Sequence, residues 1–155
     1  MFIGVIGGSK CTDETAEMAR EVGRNIAEKG GVLICGGLGG VMEWACKGAR
    51  EAGGNTIGIL PGEDRNEANP YVTIPIPTGL GLARNTIVVG SCDAVIALPG
   101  RAGTLSEIGF AMNRGIPVIC LKSWDLHQAG YVESDLFKKA ETPKEAVEMA
   151  FSLGK

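Results

Sequence analysis

The sequence predicts an α/β fold in which helices cover both faces of a mostly parallel sheet, as a single domain over residues 1–155. Short β-branched runs alternate with longer segments of helical periodicity, the pattern of consecutive strand–helix–strand units. Several of the short runs are apolar throughout, as strands buried on both faces should be. The length of 155 residues, 45% of them hydrophobic, suits one core and leaves no room for a second domain.

Six strands and five helices follow from these patterns. The strands are expected at residues 2–6, 32–35, 56–60, 72–76, 94–98 and 117–121, and the helices at 13–29, 41–52, 80–89, 104–113 and from 143 onward. The first helix places Ala19, Val22 and Ile26 on one face, at helical spacing. The second turns small residues such as Ala45 and Gly48 to one side, so we expect its backbone to pack closely on the sheet.

The last two helices have further signals. The fourth carries Leu105, Ile108 and Met112 on its inner stripe. The last begins with a capping box, in which Thr142 is the cap and Glu145 follows three residues later, with a proline between them at the first helical position.

Composition excludes several classes of partner. The net charge is −3 and no run of Lys or Arg stands out, so we expect neither a nucleic acid nor a membrane surface as partner. The five cysteines include no CxxC pair, and three lie in apolar runs, which indicates buried thiols in a reducing compartment. The chain opens on a strand rather than a signal peptide. We therefore expect a cytoplasmic protein.

The only histidine, His127, limits the chemistry. Metal clusters built on several imidazoles are excluded, and no GxSxG nucleophile motif accompanies this histidine. His127 lies in a polar stretch and is interpreted as structural or solvated. We predict no metal site.

Three glycine-rich loops follow predicted strands and lead towards helices. They contain Gly7, Gly8 and Ser9; Gly36, Gly37, Gly39 and Gly40; and Gly100, Arg101, Gly103 and Thr104. In a parallel sheet such loops share the carboxyl edge, where open α/β folds bind ligands. Glycine allows close backbone approach, and helix N-termini supply N–H groups and positive charge for phosphate. The loops therefore predict a phosphate site, although one such loop alone would indicate only a turn.

Specific nucleotide motifs do not match. A GxGxxG fingerprint starting at Gly37 would need glycine where Met42 stands, and no GxxxxGK[ST] loop is present. We expect neither a dinucleotide cofactor nor a nucleoside triphosphate.

Glu107 and Arg84 are the candidate catalytic residues. Glu107 follows the third loop, where a carboxylate could stabilise an oxocarbenium-like centre or activate water at a glycosidic bond. Thr104 and Glu107 also have the spacing of a capping box, which would give the glutamate a purely stabilising role. Arg84 is equally compatible with a surface position. The residues leave these alternatives open.

The third loop resembles a known family. Residues 99–107, PGRAGTLSE, are similar to the PGGxGTxxE signature of the LONELY GUY phosphoribohydrolases, and Arg84 lies at the separation where that family places its catalytic arginine. Residues 4–9, 36–43 and 76–85 more closely resemble the molybdenum-cofactor carrier branch of the same superfamily. The resemblance implies a Rossmann-like three-layer sandwich, a strand order of the 3-2-1-4-5 type, and a homodimer or homotetramer.

This sequence departs from the phosphoribohydrolase pattern at two points. Arg101 replaces the second glycine of the signature, which adds either a guanidinium that pairs with phosphate or an obstruction. Asn85 stands where those enzymes usually carry lysine. The lysine decarboxylase activity often assigned to relatives needs a pyridoxal-phosphate lysine, and Lys10, Lys47 and Lys122 are isolated.

Three functional hypotheses remain at this point. The first is a carrier or binding protein for a small phosphorylated ligand, such as a nucleotide or a pterin phosphate like molybdenum cofactor. The second is a nucleoside 5′-monophosphate phosphoribohydrolase, and the third is an oligomeric module with a vestigial site. No cofactor is required, and the possible bound ligands are molybdenum cofactor or a nucleoside monophosphate.

Overall fold

A computed structural model describes residues 1–126 and 135–155, and these form a seven-stranded, all-parallel sheet between two layers of helices. The strands are β1 (Phe2–Ile6), β2 (Val32–Cys35), β3 (Thr56–Leu60), β4 (Ile74–Pro77), β5 (Ala94–Ala97), β6 (Val118–Leu121) and β7 (Phe137–Ala140). The helices are α1 (Asp13–Glu28), α2 (Val41–Glu51), α3 (Asn85–Gly90), α4 (Ala102–Asn113) and α5 (Pro143–Leu153). Short 3₁₀ helices occupy Arg65–Glu67 and Gly81–Arg84.

The strand order is β4-β3-β2-β1-β5-β6-β7, which is the 3-2-1-4-5 type extended at both edges. The Rossmann-like fold and strand order that the resemblance implied are confirmed. The chain reverses its direction of travel across the sheet after β4, so that β1 and β5 lie side by side at the centre. Ligands of open α/β sheets bind at such a switch point, outside the carboxyl ends of the strands.

Alternating residues of the strands face opposite sides of the sheet and pack into two hydrophobic cores, one on each side. Ile3 and Val5 of β1 pack on one face with α1, α2 and α5, whereas Ile6 packs on the other face with α3 and α4. Because both faces are covered, the central strands β5 and β6 are buried at every position. This rigid sheet fixes the positions of the loops at its carboxyl edge.

Helices α1 and α2 pack through two reciprocal glycines. A Cβ added to Gly48 would lie 1.8 Å from the carbonyl oxygen of Arg20, and one added to Gly23 would lie 1.9 Å from that of Ala45. The expectation that α2 packs closely on the sheet through Gly48 is wrong, because Gly48 faces α1. The small residues bring the two helix backbones together instead.

Most element boundaries lie within two residues of those predicted. The third predicted helix instead starts as the 3₁₀ helix at Gly81–Arg84, because Gly79 and Gly81 adopt φ angles of 65° and 57° that an α-helix does not accommodate. The capping box of α5 is half formed. Thr142 Oγ1 accepts a hydrogen bond from the Glu145 N–H, but the Glu145 carboxylate accepts one from Glu141 rather than from Thr142.

Strand β7 was not predicted from the sequence, and His127 lies outside the described residues. In the described part of the chain, every helix is too short or too polar to cross a membrane. All five cysteines are free, and Cys35, Cys46, Cys92 and Cys120 are buried. The interpretation of the cysteines as buried thiols therefore holds for four of the five.

Candidate functional site

The three glycine-rich loops meet at the carboxyl edge of the sheet. The N–H of Gly8 donates a hydrogen bond to the carbonyl oxygen of Pro99 at 3.0 Å, and the N–H of Val41 donates one to the carbonyl oxygen of Gly8, also at 3.0 Å. The loop after β1 is therefore bonded both to the loop after β5 and to the start of α2. This is the convergence that the sequence predicted.

Two positions in these loops require glycine. Gly40 has a φ of 64°, and a Cβ there would lie 2.3 Å from the carbonyl oxygen of Gly8. A Cβ on Gly100 would meet the Thr104 hydroxyl and would lie 3.0 Å from the Gly8 N–H. In contrast, a Cβ on Gly103 would meet no atom of the described residues within 4 Å, so this residue faces open space in the described part of the chain. The loops are thus packed against each other below and open above Gly103.

The other glycines of the loops have supporting contacts. A Cβ on Gly7 would clash with Val41, one on Gly37 with Leu60, and Gly39 lies beside the backbone of Ser9. These residues shape the walls of the site rather than its opening. Ser9 itself is exposed at the edge.

Helix α4 points its N-terminus into this opening. Arg101 is its N-cap and makes no side-chain capping bond, and the first N–H with a helical acceptor is that of Leu105, which donates to the Arg101 carbonyl at 3.0 Å. The N–H groups of residues 102–104 have no acceptor among the described residues. Free N–H groups at the positive end of a helix dipole are the donors that bind phosphate.

Arg101 replaces the motif glycine without strain. Its φ of −109° is one that any residue adopts, and its side chain is exposed at the rim. The guanidinium makes no ion pair or hydrogen bond with the described residues. The sequence left two interpretations of Arg101: a guanidinium that pairs with phosphate, or an obstruction in the loop. The unstrained backbone of Arg101 gives no support to an obstruction that distorts the loop.

Arg84 is buried, with 7% of its surface exposed, so the alternative of a surface position is wrong. Its guanidinium packs on Gly36, where a Cβ would lie 2.6 Å from Nη2, and Nη2 donates to the Gly36 carbonyl oxygen at 3.4 Å. Nη1 donates to the side-chain oxygen of Asn85. Nε is buried and has no hydrogen-bond partner among the residues that the structure describes. Arg84 therefore links the loop after β2 to the start of α3.

Glu107 is the partner of Arg84. One carboxylate oxygen lies 4.0 Å from Nη1 of Arg84, and both side chains are less than 10% exposed. Because α4 begins at Ala102, Thr104 is its third residue and not its N-cap, so the capping interpretation of Glu107 is wrong. Glu107 instead faces inward from the first turns of α4, beneath the three loops.

Burial controls the protonation of this pair. It raises the pKa of the Glu107 carboxyl to about 7, and the nearby Arg84 guanidinium opposes this only in part. Burial also lowers the pKa of Arg84 below its ordinary value, whereas Glu107 acts in the opposite direction. Because a guanidinium keeps its proton in proteins, Arg84 is a cation. Glu107, with a pKa of about 7, is present both as neutral acid and as carboxylate near neutral pH.

Sequence reasoning did not assign two groups of residues to the site. Asn85, which is 5% exposed and holds Arg84, was noted only as a departure from a motif. A cleft of about 270 Å³ also adjoins Gly100, and its other lining residues are Pro99, Lys122, Ser123, Trp124 and Asp125. The sequence position of residues 122–125 could have indicated the cleft. These residues directly follow a predicted strand, and residues that follow a parallel strand emerge at the shared carboxyl edge.

Residues that could hold a metal do not cluster in the described part of the chain: no three His, Cys, Asp or Glu side chains are suitably placed. The groups that the described residues bring to the site include backbone N–H groups, the buried Arg84 and Glu107 side chains, and Ser9 and Arg101 at the rim. Such a set can bind a phosphate and present a titratable group beside it.

Two solved structures of molybdenum cofactor proteins are similar to this chain along nearly its whole length. The molybdenum cofactor binding protein from Rippkaea orientalis is 40% identical, with a TM-score of 0.90 over 97% of this chain and 95% of that protein. The molybdenum cofactor carrier protein from Chlamydomonas reinhardtii is 36% identical, also with a TM-score of 0.90, over 98% of this chain and 96% of that one.

A relative with a different printed function is the cytokinin riboside 5′-monophosphate phosphoribohydrolase of Mycobacterium tuberculosis. It is 34% identical over 121 residues, which are 72% of this chain and 64% of the relative. The chain is thus similar to members of both groups that its motifs resemble. The family model of the SLOG cluster4 family matches residues 1–152, and the chain belongs to this family.

Proposed function

We propose that this protein binds a small phosphorylated ligand at the three loops and acts as its carrier, with the phosphate at the N-terminus of α4. The observation that supports this is the convergence of the three loops around the free N–H groups of residues 102–104. Among the described residues nothing covers Gly103 above these groups, and Ser9 and Arg101 stand at the rim of this space. A phosphate there would receive backbone hydrogen bonds and the helix dipole together.

The carrier hypothesis draws support from the relatives and from Arg84. The two molybdenum cofactor proteins match nearly the whole chain, whereas the phosphoribohydrolase matches 72% of it. The guanidinium of Arg84 is held by Gly36 and Asn85, inside the protein rather than at the opening. We therefore propose a pterin phosphate, such as molybdenum cofactor, or a nucleotide as the cargo.

A second candidate function is phosphoribohydrolase activity, and the Arg84–Glu107 pair favours it. In this reaction water adds to the ribosyl carbon of a nucleoside 5′-monophosphate as the N-glycosidic bond breaks, which gives a free base and ribose 5-phosphate. Ionised Glu107 would stabilise the oxocarbenium-like transition state or take the proton of the attacking water. Its pKa of about 7, raised by burial, leaves much of it neutral at pH 7.

One experiment separates the two functions. The protein is incubated with a panel of nucleoside monophosphates, its thermal midpoint is recorded, and free base is measured by chromatography. We expect ribose 5-phosphate and the nucleotides to raise the midpoint without release of base. Release of base would select the phosphoribohydrolase, and an unchanged midpoint with every phosphorylated compound would contradict both functions.

We further propose a homodimer or homotetramer. Large apolar side chains are exposed on β4, on the segment that leads from β4 to α3, on α3 and on α4, namely Ile74, Ile76, Leu80, Leu82, Ile87 and Phe110. Ile87 is 37% exposed while Val88 is fully buried, so Ile87 is the residue of α3 that would enter a subunit contact. Exposed apolar side chains of this kind are typical of protein interfaces. Light scattering at micromolar concentration tests the assembly, and a monomer would contradict it.

A cytoplasmic location is also part of this proposal. Five free cysteines, four of them buried, suit a reducing compartment.

A further inference from the structure

The cleft beside Gly100 shares a wall with the proposed phosphate site. Pro99 accepts the hydrogen bond from Gly8 that joins the first and third loops, and Gly100 lies against Thr104 of α4. On the other side of Pro99 and Gly100 the cleft is lined by residues 122–125, which follow β6. A ligand held by its phosphate at α4 would therefore have this cleft within reach of its remaining part.

The far wall is held in place by its own contacts. Lys122 has a φ of 52°, a left-handed conformation that residues other than glycine and asparagine rarely adopt. The resulting turn carries Ser123 back to the neighbouring strand end, where its hydroxyl donates to the carbonyl oxygen of Leu98 at 2.9 Å. Non-glycine residues in this conformation cluster at functional sites. The turn leaves Trp124 lining the cleft with 40% of its surface exposed.

The charges around the cleft cancel. Lys122 pairs with Glu14 at 3.0 Å, and Asp125 pairs with Lys139 at 3.0 Å. Each of the two charged residues in the described lining therefore has a partner of opposite charge, and the lining carries no net charge for a second phosphate. Its exposed indole instead suits an uncharged aromatic ring, because stacking on tryptophan accepts any planar heterocycle.

The size of the cleft fits such a ring. Its volume of about 270 Å³ has room for a fused two-ring heterocycle. The volume and the exposed indole therefore indicate the same class of group.

We propose that this cleft is the heterocycle subsite, in which Trp124 stacks on a purine- or pterin-sized ring whose phosphate lies at α4. The inference rests on the proposed function and adds the part of the ligand that determines specificity. Trp124 is a binding residue on this assignment, and Trp44, the other tryptophan of the chain, is its natural control because it lies on α2 beside Lys47 and away from the cleft lining.

Calorimetry with two ligands tests the subsite. The probes are ribose 5-phosphate and 9-deazaguanosine 5′-monophosphate, whose carbon–carbon glycosidic bond cannot be hydrolysed. We expect the nucleotide to bind about tenfold more tightly than ribose 5-phosphate, a difference of about 1.4 kcal/mol. Trp124→Leu should remove this advantage, Trp124→Phe should retain most of it, and Trp44→Leu should leave it unchanged.

Fluorescence gives an independent readout. In Trp44→Phe the remaining indole is Trp124, and its emission should be quenched by the nucleotide but not by ribose 5-phosphate. Equal affinity for the two probes, or an advantage that survives in Trp124→Leu, would overturn the subsite while the phosphate site stands. If neither probe binds, the proposed function fails and this inference fails with it.

Discussion

Replacement of Glu107 by glutamine should change how stability depends on pH. The carboxyl group is buried, and its pKa rises from the ordinary 4.5 to about 7 because burial disfavours the charged form. The folded protein therefore holds this proton more tightly than the unfolded chain does. The contribution is complete below pH 4.5, falls as the pH rises towards 7, and is absent above it. Glutamine has no proton to lose and cannot show this fall.

The magnitude follows from the two values. Each tenfold change in proton affinity is worth about 1.36 kcal/mol, so a pKa of about 7 in place of 4.5 corresponds to roughly 3 kcal/mol. The free energy of unfolding of Glu107→Gln, relative to that of the parent protein, should therefore rise by about this amount between pH 4.5 and pH 8. Other titrating groups are common to both proteins and cancel in the difference.

Urea denaturation at closely spaced pH values between 4.5 and 8 measures this difference. Glu28→Gln is the matched control, because Glu28 is exposed at the end of α1 and makes no ion pair with the described residues. This variant gives the effect of removing one carboxyl group from the protein surface, against which the change in Glu107→Gln is compared. Parallel curves for Glu107→Gln and the parent would refute the argument that burial holds a proton on Glu107.

Three further predictions follow from the same contacts. If base release is detected, Glu107→Gln and Arg84→Ala should each lower its rate about a thousandfold. The rate of the parent protein should rise with pH through about 7, as Glu107 ionises. Undiminished cleavage by Glu107→Gln would exclude Glu107 as a catalytic carboxylate. Gly48→Ala should lower the free energy of unfolding by about 1–3 kcal/mol, because its Cβ meets the α1 backbone. Gly109→Ala, whose Cβ meets no described atom within 4 Å, should raise it by about 0.5–1 kcal/mol. Urea denaturation of both variants measures the two changes. Leu82→Glu, at a side chain 81% exposed, should shift the particle mass by light scattering to that of a monomer if this surface joins subunits, and an unchanged oligomer would place the interface elsewhere.

The strands were predictable where their sequence is uniform. β1, β2 and β3 have the predicted bounds, because each is a short apolar run that ends at a glycine or proline. β7 has the sequence Phe-Lys-Lys-Ala and lies at the edge of the sheet, where one face and one side need no apolar cover. Its two lysines hide the pattern, although they suit an edge strand. Edge strands are therefore the elements that hydrophobic patterning misses.

The convergence of the glycine-rich loops at the candidate site was predictable from the sequence, but the side-chain contacts beneath the loops were not. Glycine-rich loops are easily recognised in a sequence, and loops that follow parallel strands lie at the same edge of the sheet. The contact between Arg84 and Gly36 joins residues 48 positions apart, and no local pattern encodes it. The role of Glu107 was ambiguous for a similar reason. Glu107 would be part of a capping box if Thr104 were the N-cap of α4, whereas in the structure α4 already starts at Ala102. A difference of a few residues in the start of a helix cannot be resolved from sequence alone.

The burial of Glu107 also bears on the choice between carrier and enzyme. A phosphate dianion at the N-terminus of α4 would lie about one helical turn from this carboxyl group, since Thr104 and Glu107 are three residues apart on the same helix. Like charges disfavour each other, so the bound phosphate would raise the pKa of Glu107 further, beyond the effect of burial. Arg84 opposes this at 4.0 Å, but its Nη groups are already engaged by Asn85 and Gly36. The complex would then hold Glu107 as a neutral acid, the form that lowers repulsion of a phosphorylated cargo but does not stabilise an oxocarbenium ion. With the phosphate at the proposed position, electrostatics would therefore favour retention of the ligand over its cleavage.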